Sequence, residues 1–312
     1  MADLPRKTLG RTGEQVTTLG FGAMELRGGS RGPEITEQQA ETLLNTVLDS
    51  GINFIDTSID YGLSEERIGK YISHRRGEYF LASKCGCVYG GQQGEHVHTA
   101  QNIREGVENS LRLLKTDHLD LVQFHRSLTK AEFEQDGALQ EAMKLKAEGK
   151  VRFVGVSGTL PNLVEQINMG VFDAFQIPYS ALQREHEDAI SMALQHGAGT
   201  IIRGGVARGA PSDWDSRAYY MVPTETMKDR WEVANLDELL SDGMTRMEFM
   251  LRFTLSHPAL CTTIVGTSNP DHVVSNIEAA MKGPLPAGVV AEAKKRLEAA
   301  GSVSEPVETP RP

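Results

Sequence analysis

Long hydrophobic runs are missing from this chain of 312 residues. No stretch approaches the roughly 18 consecutive apolar residues of a membrane-spanning helix. The segment Met1–Pro5 also lacks the apolar core of a secretory signal peptide. Cysteine is scarce as well, since Cys85, Cys87 and Cys261 are too few, and odd in number, for a disulfide framework. These absences predict a cytoplasmic protein.

Positive charge is in deficit, with 32 Lys and Arg residues against 42 Asp and Glu residues and a formal net charge of −10. This acidic balance argues against nonspecific binding to a phosphate backbone. We therefore expect neither a nucleic-acid partner nor a membrane partner. The composition is that of an ordinary globular protein, and it leaves the oligomeric state open.

Helix and strand patterns alternate from about residue 36 to about residue 280. Thr36 and Gln39 resemble a capping box at the start of the first helix, and Gly51 ends that helix before a strand. Strict alternation of strands and helices indicates a parallel sheet. Eight such units predict a (β/α)₈ TIM barrel as a single domain over residues 1–300. An open doubly wound sheet is the alternative.

Three segments fall outside this alternation. Lys7–Phe21 predicts a hairpin that caps the closed end of the barrel. The long insertion from Gly204 to about Gly243, after the seventh strand, is typical of a functional lid because it is rich in aromatic residues. Its large side chains are Trp214, Tyr219, Tyr220, Met221 and Trp231. Residues 301–312, rich in Pro, Ser and Glu, predict a disordered tail.

Three predicted strands each end in an ionisable residue. These strands run from Ile52 to Asp56, from Glu78 to Lys84 and from Leu119 to His125. Tyr61 follows Asp56 by five residues. Since the C-terminal ends of barrel strands converge on one mouth, where catalytic groups lie, we expect these four side chains to face one another. Taken alone, each residue is better explained as a turn cap or a solvated strand end, but the set of four is not.

These four residue types suit the reduction of a carbonyl group. A tyrosine hydroxyl, with an ordinary pKa of about 10, is a weak acid at neutral pH, and a neighbouring ammonium stabilises its phenolate. Lys84 would supply that ammonium, Asp56 would hold Lys84 charged, and His125 would orient the carbonyl oxygen beside Tyr61. A positioned acid of this kind typically contributes about 10²–10⁴ in rate.

The segments around these residues resemble the aldo-keto reductase family. The matching motifs are Phe54–Gly62, Leu81–Gly86, Val122–His125, Leu9–Gly13 and Gly20–Met24. The resemblance extends from about residue 6 to residue 280. It implies NADPH-dependent reduction of an aldehyde or ketone to an alcohol, with Tyr61 as the general acid. By the same resemblance, Asp56 and Lys84 tune Tyr61, and His125 orients the substrate carbonyl.

The family binds its nicotinamide cofactor extended across the barrel mouth without a Rossmann fold, and no Gly-x-Gly-x-x-Gly follows the first strand here. NADPH is the cofactor that the resemblance implies, and NADH is the alternative. The implied cofactor positions are Gly22, Ala23, Met24, Ser157, Gln176, Arg203, Gly204, Gly205, Arg208, Gly266, Thr267, Ser268, His272 and Asn276. The last five begin a predicted helix, whose free N–H groups attract phosphate.

The chain departs from the family pattern at several of these positions. Gly158 stands where an Asn commonly holds the carboxamide. Arg203 stands where many members have a stacking Tyr, and its guanidinium is able to stack on a ring or to pair with phosphate. Gly266 and His272 replace the Lys and Arg that often bind the adenosine 2′-phosphate, and Ser275 replaces a Glu.

The loops after the strands supply predicted substrate contacts. These are Glu25, Tyr89, Arg126, Trp214 and Tyr219. Glu25 and Arg126 favour a polar substrate such as a keto-sugar or a hydroxylated aldehyde, although the two side chains could instead pair with each other.

Cys85-x-Cys87 followed by His96-x-His98 is a weak zinc pattern, because its spacing is short for a closed four-ligand site. We predict no metal. Two other functions stay open at this point: a cofactor-binding sensor or regulatory subunit with little turnover, and a metal-dependent barrel hydrolase. The hydrolase leaves the Tyr61 and Lys84 pair without a role.

Overall fold

A short antiparallel hairpin, β1 (Arg6–Thr8) and β2 (Gln15–Thr17), opens the computed structural model. The structure describes residues 4–28, 34–92, 94–207, 209 and 224–307. Between the two strands, the backbone N–H of Arg11 donates to the carbonyl oxygen of Gly197 at 2.7 Å. This contact confirms the predicted hairpin and holds it against one end of the barrel.

Eight parallel strands form a closed barrel in chain order. They are β3 (Leu19–Gly22), β4 (Phe54–Asp56), β5 (Phe80–Cys85), β6 (Leu119–Phe124), β7 (Val151–Ser157), β8 (Ala174–Pro178), β9 (Gly199–Arg203) and β10 (Thr262–Val265). Closure comes from β10 pairing with β3, where Val265 lies opposite Phe21. The predicted (β/α)₈ barrel is confirmed, and the open sheet is wrong.

Helices follow the strands around the outside of the barrel. They are α1 (Glu37–Asp49), α2 (Ser64–Tyr71), α3 (Ala100–Leu114), α4 (Lys130–Gln135), α5 (Ala138–Ala147), α6 (Asn162–Asn168), α7 (Glu187–Gln195), α8 (Thr224–Val233), α9 (Arg246–Leu255), α10 (Pro270–Met281) and α11 (Ala287–Ala299). None of the described helices is both long and apolar enough to cross a bilayer.

Local chemistry starts the first of these helices as the sequence indicates. The N–H of Gln39 donates to Thr36 Oγ1 at 3.1 Å, and the N–H of Thr36 donates to Gln39 Oε1 at 2.8 Å. This reciprocal capping box satisfies two donors that the helix cannot pair internally. The apolar stripe behind it is buried against the barrel, as its spacing requires.

Apolar side chains fill the end of the barrel that the hairpin covers. Leu9 and Val16 of the hairpin pack there with Phe54 and Phe80 from the starts of β4 and β5. The two phenylalanine rings stack with their centroids 5.4 Å apart. The packed apolar core thus lies at the starts of the parallel strands. The polar side chains at the C-terminal strand ends therefore lie at the opposite mouth.

Two sequence expectations need correction. Trp231, expected in a functional lid, is 1 % exposed on α8 and packs edge-on against Phe249, because its ring completes the core between α8 and α9. Disorder was expected from residue 301, but Ser302 is buried and its hydroxyl donates to Ala181 O at 3.0 Å. The N–H of Glu305 likewise donates to Glu185 O. The other large side chains of the insertion, Trp214, Tyr219, Tyr220 and Met221, lie outside the described residues.

Candidate active site

A buried ion pair joins the ends of β4 and β5. Lys84 Nζ donates to Asp56 Oδ2 at 2.7 Å and to the carbonyl oxygen of Thr57 at 2.8 Å. Lys84 is 1 % exposed and Asp56 is 2 % exposed. The other carboxylate oxygen of Asp56 accepts from Gln123 Nε2 at 2.9 Å and from Gln176 Nε2 at 2.8 Å. Such full pairing is what makes a buried charge tolerable.

Electrostatics keep Lys84 protonated. Burial lowers the pKa of a lysine, but the carboxylate of Asp56 and the neighbouring Tyr61 raise it, so the pKa of Lys84 lies above its ordinary value. The ammonium therefore stays charged throughout the neutral range. A fixed positive charge at the mouth of the barrel favours any negative charge that develops beside it.

Tyr61 lies beside that ammonium. It sits in the loop between β4 and α2, where its backbone N–H donates to Ser58 O at 3.0 Å. Lys84 Nζ lies 4.9 Å from the centroid of the Tyr61 ring. The Tyr61 ring also meets the ring of His125 edge-on, with centroids 5.7 Å apart. The three predicted strand ends and Tyr61 thus converge as the barrel geometry requires.

His125 directly follows β6, and its backbone N–H donates to Cys85 O at 3.1 Å. Burial, assisted by the positive charge of Lys84, holds the pKa of His125 well below its ordinary value. The ring is therefore neutral at pH 7, with one nitrogen as a donor and the other as an acceptor. Its Nδ1 lies 3.0 Å from Cys87 Sγ.

A cavity of about 300 Å³ opens in front of these groups. Its walls are formed by Tyr61, His125, Arg126, Ser127, Ser157, Thr159, Gln176 and Arg203. The lining is mostly polar, and it places a weak acid, a neutral imidazole and two guanidinium groups around one space. Such a space accommodates a small molecule with an oxygen atom directed at Tyr61 and His125.

Three predicted cofactor residues form part of this wall. Ser157 Oγ lies 3.4 Å from Gln176 Oε1, a long contact between two side chains that both face the cavity. The Nε2 group of Gln176 is held by Asp56, so its carbonyl oxygen is the part directed at Ser157. Arg203 ends β9, the strand next to that of Gln176, and lines the same cavity.

Glycines bring the backbone of β3 close to that of the segment after β10. A Cβ atom on Gly266 would lie 2.7 Å from the carbonyl oxygen of Gly22, and close to the Glu25 side chain. This spacing gives a physical reason for glycine at position 266. Ala23 and Met24 form the short 3-10 turn that follows Gly22.

A second pair of glycines follows β9. Gly204 adopts a positive φ of 72°. A Cβ atom on Gly205 would lie 2.8 Å from Thr263 Oγ1, and the Gly205 carbonyl oxygen accepts from Thr254 Oγ1 at 2.9 Å. Arg208, predicted beside them, lies outside the described residues.

The segment after β10 leads into α10 with polar groups at its start. Asn269 caps the helix by accepting from the N–H of Asp271 at 2.9 Å, and Pro270 occupies the first turn. Thr267 Oγ1 lies 3.2 Å from His272 Nδ1. His272 is exposed, whereas Ser268 and Asn276 are half-buried. The N–H groups of Asp271 and His272 are both bonded to Asn269, so the donors left for an anion at this helix start are side chains.

The predicted substrate residues do not all meet. Arg126 lines the cavity, but Glu25 lies on the opposite side of the mouth, next to Gly266. Tyr89 is 46 % exposed and its hydroxyl accepts from Arg112 on α3 at 3.3 Å, outside the cavity. Trp214 and Tyr219 lie outside the described residues.

Sequence reasoning missed Gln123, Ser127 and Thr159. Gln123 was within reach, because it precedes His125 by two residues and the alternation of a strand places it on the same face. Ser127 and Thr159 lie in loops after β6 and β7, and Ser127 Oγ donates to Thr159 O at 2.8 Å. No local pattern marks such a contact between loops.

A buried acid behind the ion pair makes folding stability depend on pH. Glu65 on α2 is fully buried and accepts from Ser83 Oγ. Burial raises its pKa from 4.5 to about 7, although the Ser83 hydrogen bond opposes the rise. The folded protein thus binds this proton more tightly than the unfolded chain. Stability from Glu65 is greatest below pH 4.5 and is lost as the pH rises towards 7.

We expect Glu65→Gln to stabilise the protein relative to wild type as the pH rises. The gain between pH 5 and pH 8 should be about 2–3 kcal/mol, because glutamine still accepts from Ser83 but never ionises. Urea unfolding at both pH values measures it. Glu66→Gln, at the exposed neighbouring position, should show no such change. Equal pH dependence of both variants would contradict a buried neutral Glu65.

Comparison with known proteins places these features in a family. The model of the Aldo/keto reductase family matches residues 18–298. The chain is 28 % identical over 294 residues to the uncharacterized oxidoreductase YqkF of Bacillus subtilis, covering 88 % of this chain and 90 % of YqkF. It is 29 % identical over 300 residues to L-galactose dehydrogenase of Arabidopsis thaliana, covering 89 % of each.

A solved structure agrees with these sequence matches. The holo form of aldo-keto reductase AKR11C1 from Bacillus halodurans superposes with a TM-score of 0.80 at 30 % identity. The match covers 94 % of this chain and 96 % of that one. The family model spans the barrel. At the mouth of that barrel the ion pair meets the tyrosine and the histidine. The chain therefore belongs to the aldo/keto reductase family of oxidoreductases.

Proposed function

We propose that this protein reduces an aldehyde or ketone to an alcohol with NADPH. One observation carries the proposal: the Lys84 ammonium, held by Asp56, lies 4.9 Å from the ring of Tyr61 where Tyr61 and His125 face the same cavity. A charged lysine beside a tyrosine is the arrangement that a tyrosine acid requires.

The proposed role of each residue in the reaction follows from this geometry. Bound in the mouth, the cofactor supplies a hydride from the nicotinamide C4. The substrate carbonyl oxygen accepts a hydrogen bond from neutral His125 and the proton from the Tyr61 hydroxyl. Lys84 stabilises the phenolate that remains on Tyr61, and Asp56 keeps Lys84 charged and in place.

The residues around the cavity fit a nicotinamide. Ser157 Oγ and Gln176 Oε1 together offer a donor and an acceptor to a carboxamide. Arg203 presents a planar cation at the same wall, suited to a ring face or to a phosphate.

NADPH is proposed over NADH because hydrogen-bond donors crowd the start of α10. The hydroxyls of Thr267 and Ser268 and the exposed ring of His272 stand where the adenosine 2′-phosphate would bind. Without a lysine at Gly266, the preference for NADPH is expected to be smaller than in members that carry both cations.

We expect Gly266→Lys to destabilise the protein rather than strengthen NADPH selectivity. The new Cβ would lie 2.7 Å from Gly22 O, and overpacking of this kind costs about 1–3 kcal/mol. Urea unfolding and the NADPH-to-NADH ratio of kcat/KM measure the two effects. Gly288→Lys is the control, because a Cβ there meets nothing within 4 Å. A stable variant with a raised NADPH-to-NADH ratio of kcat/KM would contradict the expected steric clash with Gly22.

The substrate is proposed to be a hydroxylated aldehyde or ketone. Arg126, Ser127 and Thr159 make one wall of the cavity polar. The relative named L-galactose dehydrogenase is consistent with a polyhydroxylated substrate class. Ser127 and Thr159 already bond to each other, so Arg126 is the group of this wall that a substrate hydroxyl would engage.

Loss of NADPH absorbance with a panel of hydroxylated and apolar carbonyl compounds tests the proposal, with NADH run in parallel. Turnover that requires a carbonyl substrate, is faster with NADPH and is highest for the hydroxylated compounds is the expected result. Tight NADPH binding, seen by tryptophan quenching, without turnover of any compound would favour a cofactor sensor instead.

A further inference from the structure

A cluster of metal-ligating side chains lies beside His125, and the reductase chemistry does not use most of it. Asp60, Cys87, His96 and His125 each offer one ligand atom, and these atoms all lie within 4.8 Å of one another. They come from three separate places in the fold: the loop after β4, the loop after β5 and the end of β6.

Backbone pairing brings Cys87 and His96 together. The two residues face each other as an antiparallel bridge in the loop after β5. The N–H of Val88 donates to Glu95 O at 3.2 Å, and the N–H of Val97 donates to Gly86 O at 2.8 Å. Directly opposed residues of an antiparallel pair project to the same side. The thiol and the imidazole thus reach the same point.

The ring of His96 is oriented as a metal ligand would be. Its Nδ1 lies 2.6 Å from the carbonyl oxygen of Gly94, which can only accept, so Nδ1 carries the hydrogen. The lone pair is therefore on Nε2, which is buried and has no hydrogen-bond partner among the described residues. A ring nitrogen that donates to a backbone carbonyl while the other faces a metal is the usual arrangement of histidine ligands.

The separations approach those around a tetrahedral ion, and Cys87 Sγ and His125 Nδ1 would move apart to admit one. Cys87 Sγ is 3.0 Å from His125 Nδ1, and Asp60 Oδ1 is 3.5 Å from the same nitrogen. Zinc bonds of 2.0–2.3 Å place neighbouring ligand atoms roughly 3.3–3.8 Å apart. Ser58 Oγ donates to Asp60 Oδ1 at 2.6 Å and lies 3.8 Å from Cys87 Sγ and 3.4 Å from His125 Nδ1. Its hydroxyl thus holds the Asp60 carboxylate beside the other ligands.

We propose that Asp60, Cys87, His96 and His125 bind one Zn²⁺ ion per chain. The donor set is a carboxylate, a thiolate and two neutral imidazoles, the ligand types that zinc prefers. The Cys87 S–H bond breaks, the Sγ–Zn bond forms, and the proton leaves to the buffer without any electron transfer. Two negative ligands balance the charge of the ion, so the occupied site is neutral, as a mostly buried site requires.

The site differs from the one that the cysteine and histidine spacing suggests. Only Cys87 and His96 of that pattern belong to it, while Cys85 and His98 are excluded. A bound ion would also act on His125, because a ring with its Nδ1 on a metal keeps its remaining hydrogen on Nε2. Zinc binding is measured without turnover, so it stands or falls independently of the proposed reductase activity.

Zinc titration of the full chain against a chromophoric chelator, together with Co²⁺ substitution, tests the site. One Zn²⁺ per chain and a thiolate-to-Co²⁺ charge-transfer band with tetrahedral visible bands are the expected results. Cys87→Ser should abolish the charge-transfer band. Cys87→Ser and His96→Gln should each weaken Zn²⁺ binding by more than the about 10–100-fold that loss of a supporting partner costs.

Cys85→Ala and His98→Gln are the matched controls, since they alter the same residue types two positions away without removing a proposed ligand. Both should keep one Zn²⁺ per chain with unchanged affinity, and circular dichroism would verify that every variant is folded. Two results would overturn the proposal: Co²⁺ bound to wild type without a thiolate band, or equal Zn²⁺ affinity in wild type and the Cys87→Ser/His96→Gln double variant. The first needs no variant.

Discussion

Replacing Tyr61 by phenylalanine is expected to lower kcat by about 10²–10⁴-fold while KM changes little. The phenyl ring still fills its place between Lys84 and His125, so binding of cofactor and substrate is kept. What disappears is the hydroxyl that delivers the proton to the carbonyl oxygen. An interaction made only in the transition state lowers kcat and kcat/KM together.

Initial rates with NADPH and the best carbonyl compound of the panel measure this effect. Tyr71→Phe is the matched control, because the Tyr71 hydroxyl donates to Glu37 on the outer surface, far from the mouth of the barrel. It should retain wild-type kcat. Undiminished turnover by Tyr61→Phe would reject Tyr61 as the acid and require another proton donor at the cavity.

The second large effect is on stability, and it comes from the buried ion pair. Lys84→Met should cost about 3–5 kcal/mol of the free energy of unfolding, because it leaves the Asp56 carboxylate buried without a cation. The amides of Gln123 and Gln176 still donate to that carboxylate, but they do not balance its charge. Turnover should fall as well, since nothing then stabilises the phenolate of Tyr61.

Urea unfolding of single and double variants separates charge from packing. The double variant Asp56→Asn/Lys84→Met carries no buried charge at this point, so it should be more stable than Lys84→Met alone. Lys70→Met is the control, because Lys70 pairs with Glu37 in an exposed position and such pairs are worth about 0–1 kcal/mol. A double variant less stable than Lys84→Met would contradict the unpaired Asp56 carboxylate as the cause of the loss.

The barrel and the four central residues could be predicted because their signals are local. Each of these strands ends in a polar residue after an apolar run. The geometry of the barrel then brings the three strand ends together at one mouth. Predicting Asp56, Lys84 and His125 as site residues required no information about contacts between distant parts of the chain. The substrate side was less predictable, since Glu25 and Arg126 project from loops whose path depends on neighbours far away in the chain.

The errors share a cause. Trp231 was predicted to be a lid residue from the aromatic content of the insertion. That content does not indicate which surface the ring packs against. Ser302 reads as part of a disordered tail because its hydrogen bond to Ala181 joins residues 121 positions apart. The cluster of Asp60, Cys87, His96 and His125 is likewise not visible in any one segment of the sequence, because its members come from the ends of three strands.

The hairpin at the closed end is synthesised long before its docking surface exists. The Arg11 guanidinium donates to Gly170 O at 2.9 Å, across 159 positions of chain, and its backbone N–H bonds to Gly197. At about 5–20 residues per second, a ribosome needs roughly 8–32 s to make that intervening stretch. Leu9 and Val16 therefore complete their apolar cluster only after Cys261, another of its members, has been made.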